Sequence, residues 1–525
     1  MKVHNYLILL LLLLSPGIAL GQADAKIQPE VMEELQEKGF ANVLLVFDKQ
    51  FDARSVQGKA NKFEKGHFVH RRLIQIANSS QREVRLFLDQ HDKAYRPFYI
   101  FNMIQLIAGR ELLETLAGFP EIRVISRNSR MEIEHPVEGT GIKFRSVEWG
   151  VQNIKADSVW YQYGFKGAGA VIGGQDTGYD WDHEALKGKY RGWDANSMTV
   201  NHDYNWHDAI HMINPGNTGS NPCGLDSPEP CDDGSHGTHT MGTMAGDDGG
   251  SNQIGVAPDA KWIGCRNMER GDGTISTYSE CFEWFIAPYA VGDSSENGDP
   301  SMAPHVINNS WACPPSEGCD TSNFYILDSV VNAVRAAGIV VVASAGNSGS
   351  GCGSVDDPSA IFAGSFSVGA TNSNDDIASF SSRGPVTVDG SGRRKPNVSA
   401  PGVSVRSSVP NDNYGYKSGT SMAGPHVAGT VALLINSNIL LEGEVDSIEA
   451  ILERTARPQT TTQTCGSDTA GQVPNNVYGH GIIDALAAVE DAQTVLNVEL
   501  ISFYGLAQEG LNKLYWSTAS EINNS

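Results

Sequence analysis

The 525-residue sequence has no apolar stretch long enough to cross a bilayer. Its longest uninterrupted apolar run, near the N-terminus, holds about eight residues, where a ~30 Å hydrocarbon layer takes about 20 in a helix. Positive charge is in deficit: 38 Lys and Arg stand against 61 Asp and Glu, a formal charge of −23. An acidic surface of that size repels phosphate backbones, which sets nucleic-acid binding aside. Cysteine is absent before Cys223 and after Cys465, so all 8 fall in one span and in an oxidising compartment can bridge within one domain. There is no internal repeat and no low-complexity tract. What is present, 40% hydrophobic residues with 56 Gly and 23 Pro, describes a turn-rich globular chain, neither disordered nor collagen-like. Its length suggests about three compact units.

Residues 1–21 begin with Lys2, continue through Ile8 and Leu9 to Leu14 as an apolar block, and reach Ala19-Leu20-Gly21, small at the two positions a signal peptidase inspects. This reads as an export signal. It places the mature chain outside the cell, free or held at the surface by a region beyond Ser525. Residues 22–140 read as a small α+β domain: a strand at Val43–Phe47, a polar helix from about 60 to 92, a strand at Tyr99–Ile107, a short helix at Glu111–Leu116 and a strand at Ile122–Ser126. His135-Pro136 to Gly141 reads as an exposed linker, the kind of segment where cleavage concentrates.

From 141 to 495, short β-branched runs at Ala170–Gly173, Trp262–Gly264, His305–Ile307, Ile339–Ala343 and Phe366–Ala370 alternate with helical patterns near 236–246, 275–290, 323–337 and 420–437. Such alternation predicts a doubly wound α/β fold, a mostly parallel sheet with helices on both faces. Active groups then gather at the carboxyl ends of its strands. Residues 496–525, strand-like from Val498 to Phe503, read as the start of a further β domain.

Three segments each place a reactive group at a strand end or helix start with Gly beside it. Val171-Ile172-Gly173-Gly174-Gln175-Asp176-Thr177-Gly178 ends a buried strand in an acid, and Gly234-Ser235-His236-Gly237-Thr238-His239 opens a helix at an imidazole. Ser418-Gly419-Thr420-Ser421-Met422-Ala423-Gly424-Pro425-His426 puts a hydroxyl in the first turn of an apolar helix. Taken singly, Asp176 reads as a turn cap, His236 as a core histidine and Ser421 as a helix cap. His236 and His239 beside Asp232 and Asp233 also admit a metal-dependent hydrolase, although no third strong ligand pattern follows.

Together the three motifs, in the order Asp, His, Ser, resemble the subtilisin-like serine proteases. The resemblance runs from about Trp149 to Val489 and includes Lys395-Pro396-Asn397-Val398-Ser399-Ala400-Pro401-Gly402 and Tyr478-Gly479-His480-Gly481. The run Asp176 to Leu186, with Lys189-Tyr190-Arg191-Gly192-Trp193, is most similar to the bacillopeptidase F-like branch. The resemblance implies a secreted serine endopeptidase with Ser421 as nucleophile, His236 as base and Asp176 as its orienting acid. Asn347, ending the strand-like run Val340–Ala345-Gly346, matches the oxyanion asparagine. Polypeptide substrate is then expected to pair against Asn309, Ser310 and Trp311 and an edge at Ser344, Ala345 and Gly346.

The resemblance implies a P1 pocket that also includes Val355-Asp356-Asp357-Pro358, with Asp356 as its candidate charge. A carboxylate there implies preference for Arg or Lys, while Asp356-Asp357 reads equally as a solvated turn. The chemistry implies no cofactor. Calcium is common in relatives, and Asp232-Asp233, Asp247-Asp248 and Asp375-Asp376 offer oxygens without a diagnostic spacing, so they read as solvated surface. The unit at 22–140, by position, resembles a ferredoxin-like propeptide that assists folding, inhibits, and is removed between about 130 and 148 by the monomeric enzyme itself. A catalytically silent secreted binding protein on the same fold is the alternative.

The sequence departs from compact members of the family in places. Residues 194–233 form an insertion holding Cys223 and Cys231, and Gly424 stands where a small hydroxyl residue is usual, which implies a looser helix start. Nearest-neighbour pairing gives Cys223–Cys231 and Cys313–Cys319, among 105 connectivities open to eight cysteines.

Overall fold

The computed structural model describes residues 25–59, 61–133, 136–139, 147–214, 219–311, 321–494, 500–508 and 511–518. The residues expected to form an export signal, residues 140–146, Cys313 and Cys319 lie outside the described residues. The chain divides into two compact units, one of residues up to Phe51 with Leu73–Asn128, the other of Asp52–Arg72 with Ser129–Ser525.

In the first unit, strands Ala41–Phe47, Arg96–Phe98, Met103–Ala108 and Ile122–Arg127 form an antiparallel sheet with the first strand between the third and fourth. Val43, Leu45 and Phe47 alternate onto one face and pack with Ile104, Leu106, Val84, Leu88, Leu113 and Leu116. Helices after the first and third strands complete the β-α-β-β-α-β order of a ferredoxin-like unit. The sequence reading needs two corrections here. The single helix expected over 60–92 ends at Ser80 and restarts at Arg82, where buried Gln81 turns its amide to Phe98 O (2.8 Å) and Asn102 Oδ1 (2.9 Å). The strand expected at Tyr99–Ile107 begins at Met103; residues 99–102 instead turn the chain between two paired strands.

The second unit is built on a seven-stranded sheet in the order Trp206–Asp208, Lys261–Arg266, Val171–Asp176, Val306–Asn309, Val340–Ser344, Phe366–Thr371 and Val398–Pro401. All its described pairings are parallel. The strand Val171–Asp176 comes first in the chain and lies inside the sheet. The next two strands go to one side of it and the rest to the other, so the order reverses at its carboxyl end, where Asp176 stands. That is the place where doubly wound sheets open a crevice.

Helices cover both faces, as neighbouring strand residues show. A Cβ added at Gly173 would come within 2.8 Å of Phe285 on helix Ile275–Ile286, and one at Gly174 within 2.9 Å of Met241 on helix His236–Ala245. The bridge Cys223–Cys231 forms as expected, joined by Cys265–Cys281 and Cys352–Cys465. At the C-terminal end, Leu500–Gln508 and Leu511–Thr518 form an antiparallel hairpin.

Two buried histidines make this unit sensitive to acid. His426 Nδ1 bonds Met422 O (2.9 Å) and His239 Nε2 bonds Val405 O (3.1 Å). Burial pushes both pKa values down, His426 to about 4 and His239 well below the usual histidine value. Each is neutral in the fold, whereas the unfolded chain takes up protons below about pH 6.5. The His426 contribution is therefore complete above pH 6.5 and lost as pH falls towards 4, by about 3 kcal/mol in all. The urea midpoint is expected to fall between pH 7 and pH 4.5, and to fall less in His426→Asn.

Candidate active site

Asp176, the last residue of its strand, is fully buried beside His236, the first residue of its helix. The Asp176 oxygens lie 2.8 and 2.9 Å from His236 Nδ1. Asp176 Oδ1 also accepts the Thr177 N–H (2.8 Å), and Oδ2 the Thr240 hydroxyl (3.3 Å). These bonds place the imidazole proton on Nδ1 and leave the lone pair on Nε2, a buried atom with no hydrogen-bond partner among the described residues. Gly237 permits this approach, since a Cβ there would stand 3.0 Å from Asp176 Cβ. His239, three residues on, turns away to Val405 O, so the structure does not bring the two histidines to a common ligand position. No His, Cys, Asp and Glu group suited to a metal ion occurs among the described residues.

Ser421 is the second residue of helix Thr420–Ser437 and is buried. At that position its backbone N–H has no intrahelical partner. Pro425 is the sixth residue of this helix, later than the first-turn positions where a missing N–H goes unnoticed. It denies Ser421 O its usual donor, and Ser310 Oγ takes that carbonyl instead (3.3 Å). Gly424 faces Asn308: a Cβ there would lie 3.0 Å from Asn308 Oδ1. Lys417 Nζ donates to Ser235 Oγ (3.1 Å), tying the residue before His236 to the strand that leads into Ser421.

Asn347 is oriented by the same helix. Its Oδ1 accepts the Thr420 N–H (2.8 Å) and hydroxyl (2.9 Å). Two donors on one atom identify the oxygen and leave Nδ2 to donate elsewhere, 3.5 Å from where a Gly419 Cβ would stand.

A pocket beside Ser421 is lined by Ser310, Trp311, Ser344, Gly346, Asp357, Pro358 and Ala360. The carboxylate in this lining is Asp357, while Asp356 is half-buried outside it, its carboxyl pKa pushed up by desolvation. Asn309 serves the sheet: its Nδ2 donates to Val342 O (2.9 Å) and its Oδ1 accepts from Gln175. Ala345 N–H likewise bonds Val368 O (3.0 Å). Asp232 and Asp233 are not solvated surface either. Asp232 is tied into the loop before His236, and Asp233 is buried against Arg266 (3.2 Å).

The sequence reading missed two edges. Arg130–Glu132 pairs antiparallel with Asp272–Thr274, flanked by the Ile275 N–H to Ser129 O (3.1 Å) and the Ile133 N–H to Gly271 O (2.8 Å). Val137–Glu138 pairs with Lys417-Ser418, three residues before Ser421. The chain's own segment thus adds a strand on two edges, the geometry of extended-peptide recognition. The Asp-Gly-Thr of 272–274 carried the only signal, a turn pattern too common to single out.

The Subtilase family (peptidase S8) model matches residues 167–481. Bacillopeptidase F of Bacillus subtilis is 37% identical over 462 residues, which cover 84% of this chain and 30% of that protein. Subtilisin E of Bacillus subtilis is 29% identical over 398 residues, 75% of this chain and 86% of its own length, and Subtilisin Savinase of Lederbergia lenta 29% over 345 residues, 66% and 99%. The chain therefore aligns with about a third of the length of Bacillopeptidase F but with nearly all of the shorter subtilisins. The parallel sheet, the Asp176–His236 pair at its crevice and the matched span agree: the chain belongs to the Subtilase family.

Proposed function

We propose that the chain is a secreted serine endopeptidase, made as a precursor that cuts itself. The carrying observation is the buried Asp176–His236 pair with an unoccupied Nε2. Ser421 Oγ attacks the scissile carbonyl carbon and passes its proton to His236 Nε2. Asp176 stabilises the resulting imidazolium without taking the proton. The negative oxygen of the tetrahedral intermediate accepts hydrogen bonds from Asn347 Nδ2 and the Ser421 N–H. His236 then protonates the leaving amine, and water releases the acyl group by the same path. A positioned base contributes about 10²–10⁴-fold. Asn347→Ala is expected to lower kcat about 10²–10³-fold with little change in KM, a magnitude taken from subtilisin; steady-state kinetics on one peptide checks it.

The strand pairing of 130–132 and 137–138 supports self-cleavage in the intervening residues 133–136, inside the range read from sequence. Asp357 in the pocket supports preference for Arg or Lys at P1. A peptide library tests both levels of this reading. Cleavage after basic residues, reduced at least about tenfold in Asp357→Asn, is expected. Cleavage after large apolar residues alone contradicts the P1 assignment, and no cleavage by the processed chain contradicts the peptidase.

A further inference from the structure

The insertion between the acid and the base ends in Cys231-Asp232-Asp233-Gly234-Ser235, directly before His236. Asp232 spends both oxygens on the two segments that must meet. Its Oδ1 accepts from the Thr177 hydroxyl (2.8 Å), the Gly234 N–H (2.9 Å) and the Ser235 N–H (2.8 Å). Its Oδ2 accepts from the Thr238 N–H (2.9 Å) and the Thr238 hydroxyl. Thr177 follows Asp176, and its Oγ1 in turn accepts the Gly237 N–H (3.1 Å). One carboxylate therefore holds the residue after the acid together with the chain on both sides of the base. Ser235 is a non-glycine residue at φ +58°, a backbone state that side chains resist, and the Asp232 bonds to Gly234 and Ser235 span that turn.

The insertion delivers Asp232 to this place under constraint. Cys231 is bridged to Cys223, and its carbonyl oxygen rests so closely on Gly178 that any Cβ there would overlap it. The Asp233 N–H donates to Thr177 O (3.3 Å), and the Asp233 carboxylate meets Arg266 Nη1 (3.2 Å) and the Arg270 N–H (2.8 Å). Arg266 lies opposite Asp176 in the neighbouring strand and also binds Asp208 within the insertion.

We propose that Asp232 is a positioning residue for the Asp176–His236 pair, and that the Cys223–Cys231 bridge holds it in register. The inference rests on the catalytic reading above. An amide at 232 keeps one acceptor and turns an N–H₂ group towards donors, so the bonds to Thr177 and the Ser235 turn cannot all survive. Small displacements of catalytic groups cost up to about 10²-fold in rate.

The test compares wild type, Asp232→Asn, Asp232→Glu and the double variant Cys223→Ser/Cys231→Ser, each as the full chain. Turnover is expressed per site titrated with a fluorophosphonate, so that unfolded protein does not count. Expected are a fall in kcat of about 10–100-fold in Asp232→Asn with KM within about threefold, an altered acid limb of the kcat/KM profile against pH, partial recovery in Asp232→Glu, and a smaller fall of the same kind in the cysteine pair. A lower melting temperature with kcat per titrated site within twofold of wild type overturns the positioning role, because a merely structural residue changes only the folded fraction. Should Asp232→Asn fail to fold, Thr177→Val removes one donor and carries the same expectation and the same overturning result. Wild type that does not react with the fluorophosphonate overturns the catalytic reading, and this inference with it.

Discussion

Ser421→Ala made alone is expected to remain at precursor length and to lose about 10⁶-fold in turnover, the scale found when the nucleophile is removed from subtilisin. The alanine keeps the helix start, the Ser421 backbone N–H and the Asn347 amide held by Thr420, so the cradle for the oxyanion survives while the attacking oxygen is gone. What remains is the residual acceleration from binding and oxyanion contacts, about 10³–10⁴ over water. Arg130–Glu132 would still pair with Asp272–Thr274 and Val137–Glu138 with Lys417-Ser418, but with no nucleophile no bond between them breaks. Intact mass and N-terminal sequencing read the outcome directly. Efficient processing of the purified variant would remove self-cleavage from the account and leave the peptidase assignment to its own tests.

Asp176→Asn is expected to lower kcat about 10⁴-fold with KM changed only a few-fold. The cause lies in the neighbours of the carboxylate. The Thr177 N–H claims Oδ1, so an amide at 176 places its oxygen there and its N–H₂ group towards His236 Nδ1. The ring answers by keeping its lone pair on Nδ1 and its proton on Nε2, the tautomer that cannot accept from Ser421. The geometry is preserved and the proton is on the wrong atom. Steady-state kinetics on a peptide substrate, with melting temperature as a control, checks this, and a loss of less than tenfold would contradict the role given to Asp176.

Much of this is legible in the sequence. The runs at Val171, Trp262, Val306, Val340 and Phe366 are buried on both faces, so their sequences read as apolar blocks, and the helices between them carry unbroken patterns. Asp176, His236 and Ser421 stand out because each lies at an element end within two residues of a glycine, where backbone geometry restricts residue choice. The strands Trp206–Asp208 and Val398–Pro401 carry no such signal; they are short, lie at the sheet edges and lack a β-branched run.

Side-chain direction was the least legible quantity. Gln81 reads as a polar helix residue yet turns inward, at the point where one helix ends and the next begins. Asp232-Asp233 reads as solvated charge, yet its partners, Thr177 and Arg266, are 55 and 33 residues away in the chain. Asp356 and Asp357 are adjacent, and composition cannot say which of the two enters the pocket. Gly424 reads as a departure from a motif, and its neighbour, Asn308, stands 116 residues earlier in the chain. For Gln81, Asp232, Asp233 and Gly424 the neighbour in question is distant in the chain, which local periodicity does not encode.

The most direct test of the central claim is fluorophosphonate labelling of the processed enzyme at pH 7, with the modified residue located by mass spectrometry. The account predicts a single adduct on Ser421 that forms at least about 10²-fold more slowly in His236→Ala. An adduct on another residue, or an equal rate without the imidazole, would contradict it.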